Sequence, residues 1–264
     1  MSISIDLTTL SGYASLEPGT YTIKAKAKGS GIYTPSNLST GVSYTKTIPM
    51  PTKGQIINLD MDGDGTNEQY RVIKLLGNDI VEVFAMTNTS SVVFGSFAAY
   101  ENNALDTCLN STLYSTFSST AKTAIVDKTF STGPKWIGQF TGNPVYKGIT
   151  SNNTEYYISV SDTTYGTTIT RHVYPLKYED VLEYLDVPAG TTPESTTLTA
   201  NNLNMMFWND TSVHSDYLWL CNIVNDGDAG SVGGSNGWLT GYNSSASLPS
   251  RAAFQIDLSK IQWS

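Results

Sequence analysis

The sequence predicts an α+β fold, with one large domain behind a short all-β segment. Three observations carry this expectation. Period-two alternation of apolar and polar residues recurs near both ends, an apolar residue falls on every fourth position over 105–125, and long Gly-, Asn- and Ser-rich stretches separate these elements. At 264 residues the chain has room for one large domain or for a small one joined to a medium one.

Residues 1–48 read as β-structure. Ile3 and Ile5 alternate with polar residues, Pro18-Gly19 marks a turn, and residues 21–28 repeat the period of two before Gly29-Ser30-Gly31 breaks it. A further strand is expected over Gly41–Thr45. About three strands are too few to close a sandwich of about seven, so this segment needs a partner surface. Pro49, Pro51 and Gly54 supply the linker to a second domain over 49–264.

That domain opens with a three-strand meander: Ile56–Leu59, Tyr70–Lys74 and Ile80–Met86, the first two flanking an Asp/Gly loop. A helix follows, its face marked by Leu105, Leu109, Leu113, Phe117, Ala121 and Ile125. Residues 129–175, rich in Thr, Gly and Asn, read as loop more than element. Helices are expected over Tyr178–Leu185 and Asn202–Trp208. Tyr217–Cys221 reads as a buried strand, 222–250 as a polar loop, and Ala253–Leu258 as a closing strand.

Composition excludes several functions. Apolar residues at 39%, with 16 Tyr and 5 Trp, are enough to form a core. Charged residues are only 14%, so 64 Ser and Thr and 19 Asn must dress the surface. A net charge of −8 without a Lys/Arg cluster excludes nucleic acid as the expected partner. No apolar run approaches the ~18 residues of a membrane span, so membrane insertion is not expected. The N-terminal MSISIDLTTL lacks the basic-then-apolar pattern of a secretory signal.

Two cysteines, Cys108 and Cys221, are too few for a disulfide framework and read as small buried hydrophobes, with one stabilising disulfide or a reactive pair as the alternatives. His172 and His214 have no zinc- or iron-site spacing. The sharpest local motif is Asp60-Met61-Asp62-Gly63-Asp64-Gly65-Thr66-Asn67-Glu68. Carboxylates at positions 1, 3 and 5, Gly at 6 and Glu at 9 suit calcium, which takes six or more oxygens, and make Asp60, Asp62, Asp64 and Glu68 candidate ligands. Arg71 stands where an EF-hand loop has its bidentate Glu. A plain Asp-Gly hairpin turn is the competing explanation.

Six segments carry a family resemblance: YRVIKLLGNDIVEVFAM, YENNALDTCLN, PLKYEDVLEYL, MMFWND, YLWLC and SRAAFQIDLSKIQW. In this order, over roughly 55–263, the chain resembles a bacterial and prophage domain family with a C-type-lectin-like fold. Formylglycine-generating enzymes and the variable proteins of diversity-generating retroelements share that fold. The chain departs from the family pattern at Cys221-Asn222, where Arg-Ser is usual, and at Ala252, where Pro is usual. The stretch EPGTYTIKAKAKGSGIYTPSNLSTGVSYT is similar to the last strands of an immunoglobulin-like module.

In the proteins resembled, the segment between the fourth strand and the closing strand forms an exposed ligand-binding face. The resemblance thus makes Asn222, Val224, Asn225, Asp228, Ser235, Asn236, Trp238, Thr240, Tyr242 and Asn243 the candidate binding residues. Gly and Asn tolerate left-handed backbone, and exposed Trp and Tyr act as amphipathic anchors, so 222–247 suits the role physically. Many of its residues could derive from adenine-rich Asn codons, as in adenine-directed diversification.

The expected protein is therefore a non-enzymatic receptor- or ligand-binding part of a phage or prophage tail, immunoglobulin-like at its N-terminus. It would sit in the virion, or in the cytoplasm until lysis, and bind a host-surface protein or glycan. The N-terminal strands need a partner, either the same chain's large domain or the equivalent segment of another subunit. A homo-oligomer is the expectation, since tail fibre and tip proteins commonly assemble about an axis. A structural virion protein without a ligand is the alternative. A copper-dependent oxidase of the formylglycine-generating type would need Cys108 and Cys221 to meet.

Overall fold

A computed structural model of the protein describes residues 19–25, 37, 39–46, 50–95, 100–132, 136–137, 146–149, 155–158, 168–186, 200–209, 216–223, 228–233 and 238–264. The chain divides into two compact units, residues 1–50 and 51–264. In the first, β1 (Gly19–Ile23) and β2 (Val42–Lys46) form an antiparallel pair with Tyr21 opposite Tyr44. Beyond β1, the Ala25 N–H donates to Ser39 Oγ at 2.9 Å. The strand expected around Ile3 and Ile5 lies outside the described residues, as do residues 26–28. The run expected over 21–28 is corrected in part, because Lys24 and Ala25 follow β1 without continuing the strand.

The second unit is α+β. Its centre is a five-stranded sheet in the order β3–β4–β5–β17–β7, built from β3 (Ile56–Leu59), β4 (Glu68–Gly77), β5 (Ile80–Ala85), β7 (Ile125–Val126) and β17 (Ala253–Asp257). The expected meander and closing strand are all present. Val81, Val83, Phe84, Phe254 and Ile256 are completely buried, because β5 and β17 run through the middle of the sheet and have cover on both faces. Asn78 and Asp79 join β4 to β5 with φ of 51° and 62°. Positive φ at both central residues is what a type I′ hairpin requires, and Asn and Asp tolerate it.

Between β5 and β7 come β6 (Val92–Val93) and a compound helix. The even four-residue spacing over 105–125 reads as one helix; the structure instead holds α1 (Ala104–Thr107), a π-helical stretch (Cys108–Leu113), α2 (Tyr114–Thr116), a break, and α3 (Ser119–Ala124). Four-residue steps overrun the 3.6-residue turn by about 40° each, so a uniform α-helix would carry the stripe off the core. Widening the turn, then restarting at Ser118, keeps Leu105, Leu109, Phe117 and Ala121 buried. Both starts are capped: Asn103 Oδ1 accepts from the Asp106 N–H, and Ser118 Oγ from the Ala121 N–H.

Residues 129–175 are the second correction, since they contain strands. These are β8 (Lys128–Ser131), β9 (Trp136–Ile137), β10 (Tyr146–Ile149), β11 (Glu155–Ile158) and β12 (Thr168–Arg171). β8 pairs with β12, and β11 lies between β10 and β9. The helices α4 (Tyr178–Tyr184) and α5 (Ala200–Trp208) stand where expected. No helix among the described residues is long and apolar enough to cross a membrane.

Candidate ligand-binding sheet and acidic loop

The segment after α5 forms β13 (Tyr217–Ile223), β14 (Asp228–Gly233) and β15 (Trp238–Asn243), an antiparallel sheet in that order, followed by the short β16 (Ser247–Leu248). The polar loop expected over 222–250 is thus largely a hairpin. Its sequence hides this because Gly and Ser alternate with only a few apolar residues. Yet Ala229, Ser231 and Val232 are buried, so β14 is part of the core.

β13 anchors the sheet. Leu218, Trp219, Leu220 and Cys221 are each at most 1% exposed. Trp219 donates its indole N–H to the Val92 carbonyl at 2.8 Å and packs edge-on against Phe94. Its backbone N–H donates to Pro249, which ties β13 to the approach to β17. A register shift between Trp219 and Ile223 bends the strand's end. There Cys221 N–H donates to Leu176, and Asn222 Oδ1 accepts from Tyr178 N–H at 2.8 Å.

Asn222 is completely buried. Its expected place on an exposed face is corrected: the carboxamide pins the end of β13 to the start of α4, also donating to Glu179 at 3.4 Å. Tyr242 is half-buried, its ring 4.9 Å from Tyr217 and 6.3 Å from Trp219, so it braces the sheet as well as edging it. Asn243 is exposed, and its Oδ1 accepts from the Ser245 N–H and hydroxyl. By register Asp228 pairs with Asn243, Trp238 with Gly233 and Thr240 with Ser231. Val224, Asn225, Ser235 and Asn236 lie outside the described residues. Tyr217 is the neighbour that sequence reading passed over; its signal was a Tyr heading an otherwise apolar strand.

The acidic loop lies in the β3–β4 connection. Asp60, Asp62 and Asp64 bring carboxylate oxygens within 4.8 Å of one another. Asp60 accepts from the Gly63 and Gly65 N–H groups at 2.7 and 3.0 Å, Asp62 from Asp64, and Asp64 from Thr66. These turns curl the loop so that three negative charges converge, a donor set that fits a hard cation. Glu68 is not in that group. Its carboxylate accepts from the Met61 N–H at 3.0 Å, and burial, then Asp62 and Asp60, raise its pKa above the ordinary 4.5. The loop rests on the helix break, with Ser118 N–H donating to the Met61 carbonyl at 2.8 Å.

Cys108 and Cys221 are both free thiols; Cys221 is buried as expected, whereas Cys108, in the π-helical stretch, is only half-buried. Burial raises the pKa of each, most strongly in Cys221, which disfavours the reactive thiolate. Beneath α4, the Lys128 ammonium bridges Glu82 at 2.5 Å and Asp180 at 3.2 Å, while Tyr174 donates its hydroxyl to Glu82. Arg171 grips Asp106 bidentately, its shortest contact 2.6 Å. These clusters join separate elements of the domain. Comparison with protein-family models, with curated proteins and with solved structures found no match.

Proposed function

We propose that the protein is a non-enzymatic binding protein of a phage or prophage tail. Its ligand surface is the hairpin region 224–243, and its large domain is C-type-lectin-like. One observation supports this above others: the hairpin is rooted in the core through Trp219, Cys221 and Asn222, while β15, its last strand, ends on the half-buried Tyr242 and exposed Asn243. Recognition sites belong on such mounts, where a rigid root keeps a varying edge in place.

Chemistry favours binding over catalysis here. Burial raises the pKa of both thiols, which disfavours a reactive thiolate, and Glu82 and Asp106 have basic or hydroxyl partners that fix them. In this reading Asp60, Asp62 and Asp64 hold a structural calcium ion remote in sequence from the ligand surface. The purified chain, screened against host-surface glycans and proteins, should capture a ligand, and Trp238→Ala should abolish capture. Capture that survives substitution at Trp238, Thr240 and Asn243 would overturn the assignment. So would an empty screen, which would favour a structural virion role.

A further inference from the structure

Two arginines sit under one face of the central sheet with no acid among the described residues to meet them. Arg71 of β4 pairs with Phe84 of β5, and Phe84 pairs with Ala253 of β17, two residues past Arg251. Residues paired across neighbouring strands share a face, and the end of α5 covers this one, with the rings of Phe84 and Phe207 5.4 Å apart. Arg71 is 5% exposed and Arg251 6%. Among the described residues, neither forms an ion pair with an Asp or Glu.

Their partners are neutral. Arg71 donates to the Gly54 carbonyl at 2.9 Å and to Asn209 Oδ1 at 2.6 Å. Arg251 donates to Asn88 Oδ1 at 2.8 Å and to the Phe207 carbonyl, with Trp208 under its guanidinium at 5.7 Å. The Nε of Arg71 is buried and has no hydrogen-bond partner. Burial, and then the charge of Arg71, press the pKa of Arg251 down to about 10.

Carbonyl groups satisfy N–H directions without neutralising charge. The C-terminus of a helix supplies roughly half a negative charge, against two full positive ones. Interior charges normally meet an opposite charge, because leaving them uncompensated is strongly destabilising. Asn88 and Asn209, the side chains that cap the two forks, are both exposed. Asn209 lies just past the helix end at φ 59°, and moving either amide aside would open a guanidinium edge to solvent.

We propose that Arg71 and Arg251 form a binding site for an oxyanion (carboxylate, sulfate or phosphate) that displaces the amide oxygens of Asn88 and Asn209 and bridges the two guanidiniums. Arginine forks match the paired oxygens of such groups. This site shares no residue with the 224–243 segment, and the proposal stands or falls independently of the binding reading.

Thermal unfolding of the full chain tests the site, with sodium sulfate, phosphate and acetate each titrated to 20 mM at ionic strength held constant with sodium chloride. At least one anion should give a saturable rise in Tm, about 2–5 °C once it exceeds its Kd tenfold. Which anion acts distinguishes a planar carboxylate from a tetrahedral group. Asn209→Asp places a carboxylate on Arg71, where left-handed backbone suits Asp; it should raise Tm without added anion and remove the response. Asn88→Asp repeats the test from the Arg251 side. No saturable rise in the parent protein, or a response undiminished in both variants, would overturn the proposal.

Discussion

The rings of Tyr217 and Tyr242 lie 4.9 Å apart at 44°, linking the first and last strands of the β13–β14–β15 sheet. Tyr242 therefore braces the sheet, and under the proposed function it would also meet the ligand. Aromatic pairs contribute roughly 0.5–1.5 kcal/mol beyond the area they bury. Tyr242→Ala should lower unfolding stability by about 1–2 kcal/mol in urea melts and weaken ligand capture as well. An unchanged melt would mean that the ring pair contributes nothing to the sheet.

Lys128 holds two buried carboxylates with one ammonium. Lys128→Met leaves Glu82 and Asp180 facing each other and should destabilise the fold by about 3–5 kcal/mol, read from denaturant midpoints. A loss under 1 kcal/mol would show that water already reaches the pair.

The same cluster predicts a pH dependence. Burial, and next the charge of Asp180, raise the pKa of Glu82 above its ordinary 4.5. The native state then binds this proton more tightly than the unfolded chain does. The stability tied to Glu82 is full below about 4.5 and is lost as pH rises through the higher native value. Glu82→Gln removes the titration, so its stability relative to the parent should climb as pH rises from about 4.5 through neutrality. A constant difference across that range would refute the shift.

Calcium at millimolar concentration should raise Tm by mass action, and Asp62→Ala should cancel the rise. Because the loop rests on Ser118, ion binding should also slow amide exchange at Ala121, whose N–H is capped by that residue. If calcium moves neither reading, the loop is a hairpin turn only.

Two strands alone are marginal in water, which leaves β1 and β2 dependent on further pairing. Light scattering should find the full chain to be a homo-oligomer and a chain beginning at Pro51 to be monomeric. Equal masses per chain for both would place subunit contact elsewhere, or nowhere.

What sequence could tell depended on how local each signal was. The β3–β4–β5 meander and β17 were legible because alternation and turn residues act over a few positions, as with Asn78-Asp79. The strands within 129–175 were not, since they span two to four residues each and draw their pairing from distant segments such as Thr168–Arg171 with Lys128–Ser131. The π-helical stretch was half visible, because strict four-residue spacing already misfits an α-helix. The acidic loop was legible for Asp60, Asp62 and Asp64, whereas Glu68 turned to a backbone N–H that no spacing rule foretells. Asn222 was misplaced for a similar reason: its partner is the Tyr178 backbone, 44 positions away.

That carboxamide also sets a boundary for engineering. A combinatorial library built on the proposed binding surface should begin its randomised codons after Ile223, since changing Asn222 would unfasten β13 from α4. Within the hairpin, Ala229, Ser231 and Val232 should stay fixed, being core in all but composition. The scaffold then tolerates diversity in an interrupted pattern, and clones altered at those three positions should drop out at the expression step, before any selection for binding begins.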